Sequence, residues 1–271
     1  MTTLRHLLTL SVAVAMLAIL PGLIRSTSAQ DASPATSPEA IVDCTANLGL
    51  VRSTKACVAI VHASPDAPAV DVYLNGEIAV TALAPNSATP FVELPAGDYL
   101  VQVVPTGGTV DQAVITVDPL TIEATRAYEV VALGNVAEIT AAVFDVTTYA
   151  VPASGGNLPQ SRVRVVHAVP GGPNVNVALI ADDVAARAAR ALPFGEAGDY
   201  LEAPAGTYRV SVTAEDGTAI LDVPAFDVPA DSVVSVYVVA NPDGTVGLLP
   251  VVTAASRLPA PDATPAATPT A

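Results

Sequence analysis

Beyond residue 30 the chain carries two histidines, each at the head of a proline-bearing stretch. The first stretch is His62-Ala63-Ser64-Pro65-Asp66-Ala67-Pro68, and the second is His167-Ala168-Val169-Pro170-Gly171-Gly172-Pro173. Imidazole titrates near neutrality and ligates metals, so His62 with Asp66 and Asp71 forms a candidate acid–base or metal cluster. The alternative is an imidazole that hydrogen-bonds loop backbone and fixes its path, because a buried polar group needs a partner. The second stretch keeps His167 but has Gly171 and Asn176 where the first has Asp66 and Asp71. That pattern favours the structural alternative at both histidines.

Two cysteines, Cys44 and Cys57, are the other reactive side chains. In an exported chain such a pair is expected to form a disulfide. Closing a loop of this size would contribute about 3 kcal/mol by restricting the unfolded chain. A zinc site would need two further ligands that are not nearby in sequence. No G-x-S-x-G elbow, H-E-x-x-H pair or Gly-rich phosphate loop occurs, so no catalytic residue, metal ligand or cofactor is assigned. The carboxylate pairs Glu93/Asp98 and Asp66/Asp71, which could in principle serve glycoside hydrolysis, read as solvated turn and edge charges. No acidic calcium loop is present. The absence of Trp weakens a sugar platform, and Tyr73, Phe91 and Tyr149 are the aromatics expected at the surface.

The elements that must hold these residues follow from composition and repetition. The 271 residues are 51% hydrophobic and 14% charged, with 24 Pro. That is too apolar for disorder and too rich in proline for a mainly helical chain. A net charge of −15 with Lys55 as the sole lysine excludes nucleic acid as a partner, since nothing could neutralise a row of phosphates. Residues 1–29 read as a signal peptide: Arg5, then the apolar run Leu7 to Leu20, then Thr27-Ser28-Ala29 before the cut. Removing it leaves 9 basic against 26 acidic side chains, a charge of −17, and no membrane span after cleavage. An uncleaved N-terminal anchor is the rival reading. Residues 30–40 and 255–271 are rich in Pro, Ala, Thr and Ser and are expected to be disordered spacers.

Between them lies an internal repeat. Val58 to Leu74 (VAIVHASPDAPAVDVYL) matches Val163 to Leu179 (VRVVHAVPGGPNVNVAL) at an offset of 105 residues. Pro95-Ala96-Gly97-Asp98-Tyr99 matches Pro204-Ala205-Gly206-Thr207-Tyr208 at an offset of 109, so four residues are inserted in the second copy. The expected organisation is a β-domain over 41–150, a linker over 151–160 and a second β-domain over 161–254. Short Val-rich runs separated by turn clusters predict an all-β chain of two tandem immunoglobulin-like β-sandwiches. Asn75-Gly76 signals a two-residue hairpin, with Asp216-Gly217 and Asp243-Gly244 as its equivalents in the second copy. The Pro-Ala-Gly-x-Tyr turn resembles the tyrosine corner of such sandwiches. Asp182 to Leu192 (DDVAARAARAL) is the one stretch whose composition favours helix. Val58, Ile60 and His62 share an inward strand face, as do Val163, Val165 and His167, which leaves Arg162 and Arg164 facing solvent.

On the run His62 to Tyr73 (HASPDAPAVDVY) and the later Leu94 to Tyr99 (LPAGDY), the first copy resembles the secreted bacterial domain-of-unknown-function family numbered 4397. The second copy is more divergent, keeping His167, Pro170, Pro173 and the Pro-Ala-Gly-Thr-Tyr turn. The resemblance implies an extracellular or envelope β-domain, often in tandem, and carries over no catalytic or binding residue. The expected function is therefore a non-enzymatic, secreted or cell-surface structural or interaction module whose partner is a protein or a cell-wall glycan. The alternative is a polysaccharide- or calcium-binding module that uses the loops after His62 and His167. An extracellular hydrolase is a third and weaker reading.

Overall fold

The computed structural model of the protein describes residues 54–146, 160–181, 184–230 and 232–254. The expected signal peptide, both tails, Cys44, Tyr149 and the linker up to residue 159 lie outside these residues. Seventeen strands are described and no α-helix among them. In the first repeat they are β1 (Lys55–Ala63), β2 (Val70–Leu74), β3 (Glu77–Leu83), β4 (Ser87–Ala88), β5 (Val92–Pro95), β6 (Gly97–Pro105), β7 (Ile115–Ile122), β8 (Ala127–Leu133) and β9 (Thr140–Asp145). The second repeat runs β10 (Gln160–Ala168), β11 (Val175–Ala181), β12 (Val184–Leu192), β13 (Leu201–Pro204), β14 (Gly206–Ala214), β15 (Ala219–Val228), β16 (Ser232–Ala240) and β17 (Val246–Ala254).

Each repeat folds as two sheets, as expected for a sandwich. The first repeat has β4-β1-β8-β9, with β5 also on β1, against β3-β2-β6-β7. The second has β13-β10-β16-β17 against β12-β11-β14-β15. The first strand of each repeat is central and pairs in parallel with the penultimate one, β1 with β8 and β10 with β16, in the same register: Ile60 faces Val130, and Val165 faces Val236. The interior of each sandwich is built by alternation. Val58, Val130, Val72 and Val101 belong to the core of the first, and Val163, Val236, Val177 and Val210 to that of the second.

The other face of the β1/β8 and β10/β16 sheets is not solvated. Ala59, Val61, Val131 and Leu133 of the first repeat join Val166, Ala168, Tyr237 and Val239 of the second in one further apolar core. The described residues of both repeats accordingly form one compact unit. Strands covered on both faces lose their alternation, and every residue of β8 is buried.

Three sequence expectations are corrected here. Arg164 is 5% exposed, because the sheet face assigned to solvent is covered by the other repeat. Phe91 is 1% exposed and belongs to that shared core. The stretch expected as helix is strand β12 from Val184 onward, paired with β11 from Ala181↔Val184 to Val175↔Leu192; Asp182 and Asp183 lie outside the described residues. A helix of eleven residues is marginal alone, and a ladder with a core strand outweighs its Ala and Arg propensity.

Turns follow the sequence more closely. Asn75 and Gly76 both take positive φ, 52° and 83°, as a type I′ hairpin requires. At the two Asp-Gly turns only Gly217 and Gly244 do so. There the aspartate accepts the amide two residues on, Thr218 N at 2.9 Å and Thr245 N at 2.9 Å, which is the longer hairpin loop with a single left-handed glycine.

Candidate functional site

The two histidines occupy the same place at the end of the central strand of each repeat. Both are fully buried. His62 Nδ1 accepts from the Ser64 amide at 3.4 Å, which leaves the proton on Nε2 to be donated to the Pro68 carbonyl at 3.0 Å. His167 repeats this with the Val169 amide at 3.3 Å and the Pro173 carbonyl at 3.0 Å. Burial lowers both imidazole pKa values, with the proline carbonyl pulling the other way. Each ring thus spans the proline-bearing loop that follows it, closing it across six residues in both repeats.

Asp66 and Asp71 do not join His62 in a cluster. The Asp66 carboxylate is exposed and accepts from the Val136 amide at 2.8 Å, at the start of a 3-10 turn over Val136–Glu138. Asp71, 5% exposed, sits on β2 and accepts from the Ala82 amide at 2.7 Å and the Gly107 amide at 2.9 Å. These backbone donors, Gly107 first, hold its pKa below the ordinary carboxylate range. Among the described residues no group of three or more His, Cys, Asp or Glu side chains converges as a metal would need.

Residue 176 explains how the second repeat manages without the aspartate. Asn176 Oδ1 accepts from the Ala191 amide at 3.0 Å, just as Asp71 accepts from Ala82. Both alanines have positive φ, 52° at Ala82 and 46° at Ala191, where the hairpin register slips. The side-chain oxygen therefore secures an irregular backbone in both repeats. Its second atom differs: Asp71 Oδ2 accepts from Gly107, while Asn176 Nδ2 donates to the Ala214 carbonyl at 3.1 Å.

The Pro-Ala-Gly-x-Tyr turn is held in the same way. The Tyr99 hydroxyl donates to Pro95 O at 2.8 Å, and the Tyr208 hydroxyl donates to Pro204 O at 2.8 Å. Beside it the residue before each tyrosine bonds across to the next strand. Thr121 donates to Asp98 at 2.7 Å in the first repeat, and Thr207 donates to Asp227 at 2.6 Å in the second. The bond is preserved with donor and acceptor exchanged between strands. Of the remaining candidate carboxylates, Glu93 pairs with Lys55 at 2.7 Å near the surface.

Among the described residues the most deeply buried ion pair lies between the repeats and includes Arg164, which strand alternation placed in solvent. Arg164 Nη2 donates to Glu129 Oε2 at 3.2 Å, and the Tyr237 hydroxyl donates to the same oxygen at 2.6 Å. Arg164 Nε donates to Ser235 Oγ at 3.0 Å. The guanidinium lies 5.3 Å from the Phe144 ring centre and 5.0 Å from that of Tyr200, within cation–π range of both. Burial pushes the Glu129 carboxyl pKa up, against the pull of Arg164 and the two hydroxyls. Tyr200 is pushed up to about 12, chiefly by burial. At the C-terminal end of β16, Asn86 Nδ2 donates to Ala240 O at 2.8 Å and Asn241 Oδ1 at 3.1 Å. Every polar tie here crosses repeats or braces one that does. The signal in sequence was β16 (SVVSVYVVA), where apolar residues fall on both strand faces instead of alternating with polar ones as in a half-solvated strand.

The model of a domain of unknown function (DUF4397) matches the chain twice, over residues 56–158 and 161–264. No curated protein matches the sequence. Two crystal structures, each described as that of a "putative cell adhesion protein", are similar at low identity. The one from Bacteroides ovatus ATCC 8483 is 7% identical, covering 75% of this chain and 98% of its own, with a TM-score of 0.25. The one from Bacteroides eggerthii DSM 20697 is 9% identical, covering 75% and 96%, with a TM-score of 0.23. At such scores neither likeness bears on the fold or function of this chain.

Proposed function

The chain belongs to the DUF4397 family, in two tandem copies, and from that premise we propose that it is a non-enzymatic exported module acting at the cell surface or outside the cell. It presents its loops to a protein or a cell-wall glycan. One observation carries the reading: the side chains able to do chemistry are spent on their own backbone. His62 and His167 bridge their loops, Asp71 takes two amides and Asp66 takes another. A general base or metal ligand would need a lone pair or proton aimed at open space. The histidines are thus structural, holding the proline-bearing loops in shape.

Export rests on the leader at residues 1–29, and on Cys57, which is buried in β1 and is not a free thiol. In this reading Cys57 pairs with Cys44 and tethers the segment ahead of β1. Among the described residues no helix is long and apolar enough to cross a membrane.

The full chain, expressed with its leader, is expected in the culture medium or at the surface, beginning at Gln30 on N-terminal sequencing. A chain that stays in the cytoplasm with residues 1–29 intact overturns the proposal. A broad hydrolase screen is expected to show no turnover, and turnover lost in His62→Ala would replace the reading with an enzyme. Saturable calcium or polysaccharide binding by calorimetry, abolished by the same substitution, would replace it with the ligand-binding alternative.

A further inference from the structure

The interior of the first repeat is not full. An apolar cavity of about 450 Å³ lies between its two sheets and opens between the edge strands β3 and β5. Val58, Ile60 and Val130 line it from one sheet, and Leu74, Val101 and Leu120 from the other. Its only hydroxyl-bearing walls are Thr81 and Thr89, and no charged residue lines it. Protein interiors pack to crystal density with few voids larger than a water molecule. A space of this size is instead typical of ligand pockets, which run from about 300 to 1,000 Å³ and are mostly apolar with a few polar groups.

The second repeat shows that the fold does not demand the opening. Positions Ile60, Leu74, Val80 and Leu94 are only half-buried around the cavity, while their counterparts Val165, Leu179, Ala189 and Ala203 are at most 8% exposed. The sealed repeat achieves this with side chains no larger, and at three of the four positions smaller. Its strands have therefore closed up. β12 lies against β10, whereas β3 makes no such approach to β1. Gly198 marks the closure: a Cβ there would come within 3.1 Å of the Ala188 carbonyl and 3.3 Å of the Ala189 Cβ. The same position in the first repeat is Thr89, which has the matching backbone bond, Thr89 N to Ile60 O at 2.9 Å beside Gly198 N to Val165 O at 2.8 Å. Thr89 also accepts the Ile60 amide on its hydroxyl at 2.9 Å and forms part of the cavity wall.

We infer that the first repeat binds one single-chain alkyl amphiphile with a neutral head group, its chain inserted between the sheets and its head at the β3/β5 mouth. The aliphatic wall, with Phe91 as its single aromatic, suits methylenes better than a flat ring. At about 30 Å³ for a water-sized group, 450 Å³ takes a chain of roughly ten to fifteen carbons. A neutral head follows from an uncharged lining in a chain of net charge −15. This inference stands apart from the proposed surface role and can fail without it.

The test is displacement of N-phenyl-1-naphthylamine fluorescence from the full chain by 1-octanol, 1-decanol, 1-dodecanol and dodecanoate. Dodecanol is expected to bind, with each pair of methylenes removed weakening it roughly 15-fold, and dodecanoate is expected to bind more weakly than dodecanol. Ala79→Trp, on the exposed edge strand at the mouth, should weaken dodecanol at least tenfold with an unchanged melting temperature. Val101→Phe, which fills the space from within, should do the same. Thr218→Trp in a turn of the second repeat should leave affinity unchanged. Failure of dodecanol to displace the dye, affinity independent of chain length, or wild-type affinity in a folded Ala79→Trp protein would each overturn the inference.

Discussion

The two repeats use the same bonds to different ends. Strand order, the parallel register of the central pair, the histidine bridge and the tyrosine turn are common to both. Yet the first sandwich stands open around a cavity and the second is shut. They also differ where they meet. Ala59 of the first repeat occupies the place of Arg164 in the second, and Glu129 that of Ser235. The lesson is one of division. Polar side chains that fix backbone geometry are kept or swapped conservatively, as Asp98/Thr121 becomes Thr207/Asp227. Apolar positions and interface charges are where the copies have specialised.

The sharpest way to break that comparison is at the interface. Arg164→Ala leaves Glu129 buried without its cation, and is expected to lower stability by about 3–5 kcal/mol on chemical denaturation. Adding Glu129→Ala should restore a good part of it. Ala59, in the equivalent position of the first repeat, carries no such burden. A loss below 1 kcal/mol in the single variant would mean the pair is dispensable.

The closure at Gly198 comes next. Gly198→Thr imposes the first repeat's residue on the sealed repeat and is expected to cost about 1–3 kcal/mol through overpacking against β12. Thr89→Ser, which keeps the hydroxyl that accepts the Ile60 amide, should cost less. Equal losses would deny that the two mouths differ.

Asp71 and Asn176 test the shared irregular hairpin. Asp71→Ala strands two backbone donors and is expected to lose about 2 kcal/mol, while Asn176→Ala loses about 1 kcal/mol. Asp71→Asn should fall between them, because it keeps the bond to Ala82. The carboxylate's lowered pKa makes the extra contribution of Asp71 present above the ordinary carboxylate range. It is lost as pH falls through the folded-state value. An Asp71 effect that persists in strong acid would contradict this origin.

The smallest effect is shared equally. Burial lowers the pKa of both histidines, so the unfolded chain binds protons that the folded chain resists. Stability from this source is full above about pH 6.5 and declines as pH falls below it. The melting temperature should drop between pH 7.5 and pH 5 by a few degrees beyond that of a His62→Gln/His167→Gln protein. Indistinguishable pH profiles would show that the rings titrate freely.

Much of this was legible in the sequence because it is local. The histidine bridge closes six residues, the tyrosine bond four, and Asn75-Gly76 two, so each left its mark as a spacing repeated between copies. The replacement of Asp71 by Asn176 already pointed away from metal or acid–base chemistry. Arg164 was misjudged for a physical reason. Period-two alternation tells which residues share a strand face, but not what covers that face. The same gap hid Phe91. In β12, pairing with β11 outweighed the helical propensity of Ala and Arg.

The amino-acid sequence alone determined the duplicated all-β architecture, because alternation, turn chemistry and repetition act over a few residues and are written in order. Tertiary structure alone decided that the repeats share a core, that Glu129, Arg164 and Tyr237 meet inside it, and that one sandwich opens where the other is closed. Those outcomes depend on how far apart whole strands come to lie. That separation is set by contacts between residues some 20 to more than 100 positions apart, such as Tyr237 with Glu129.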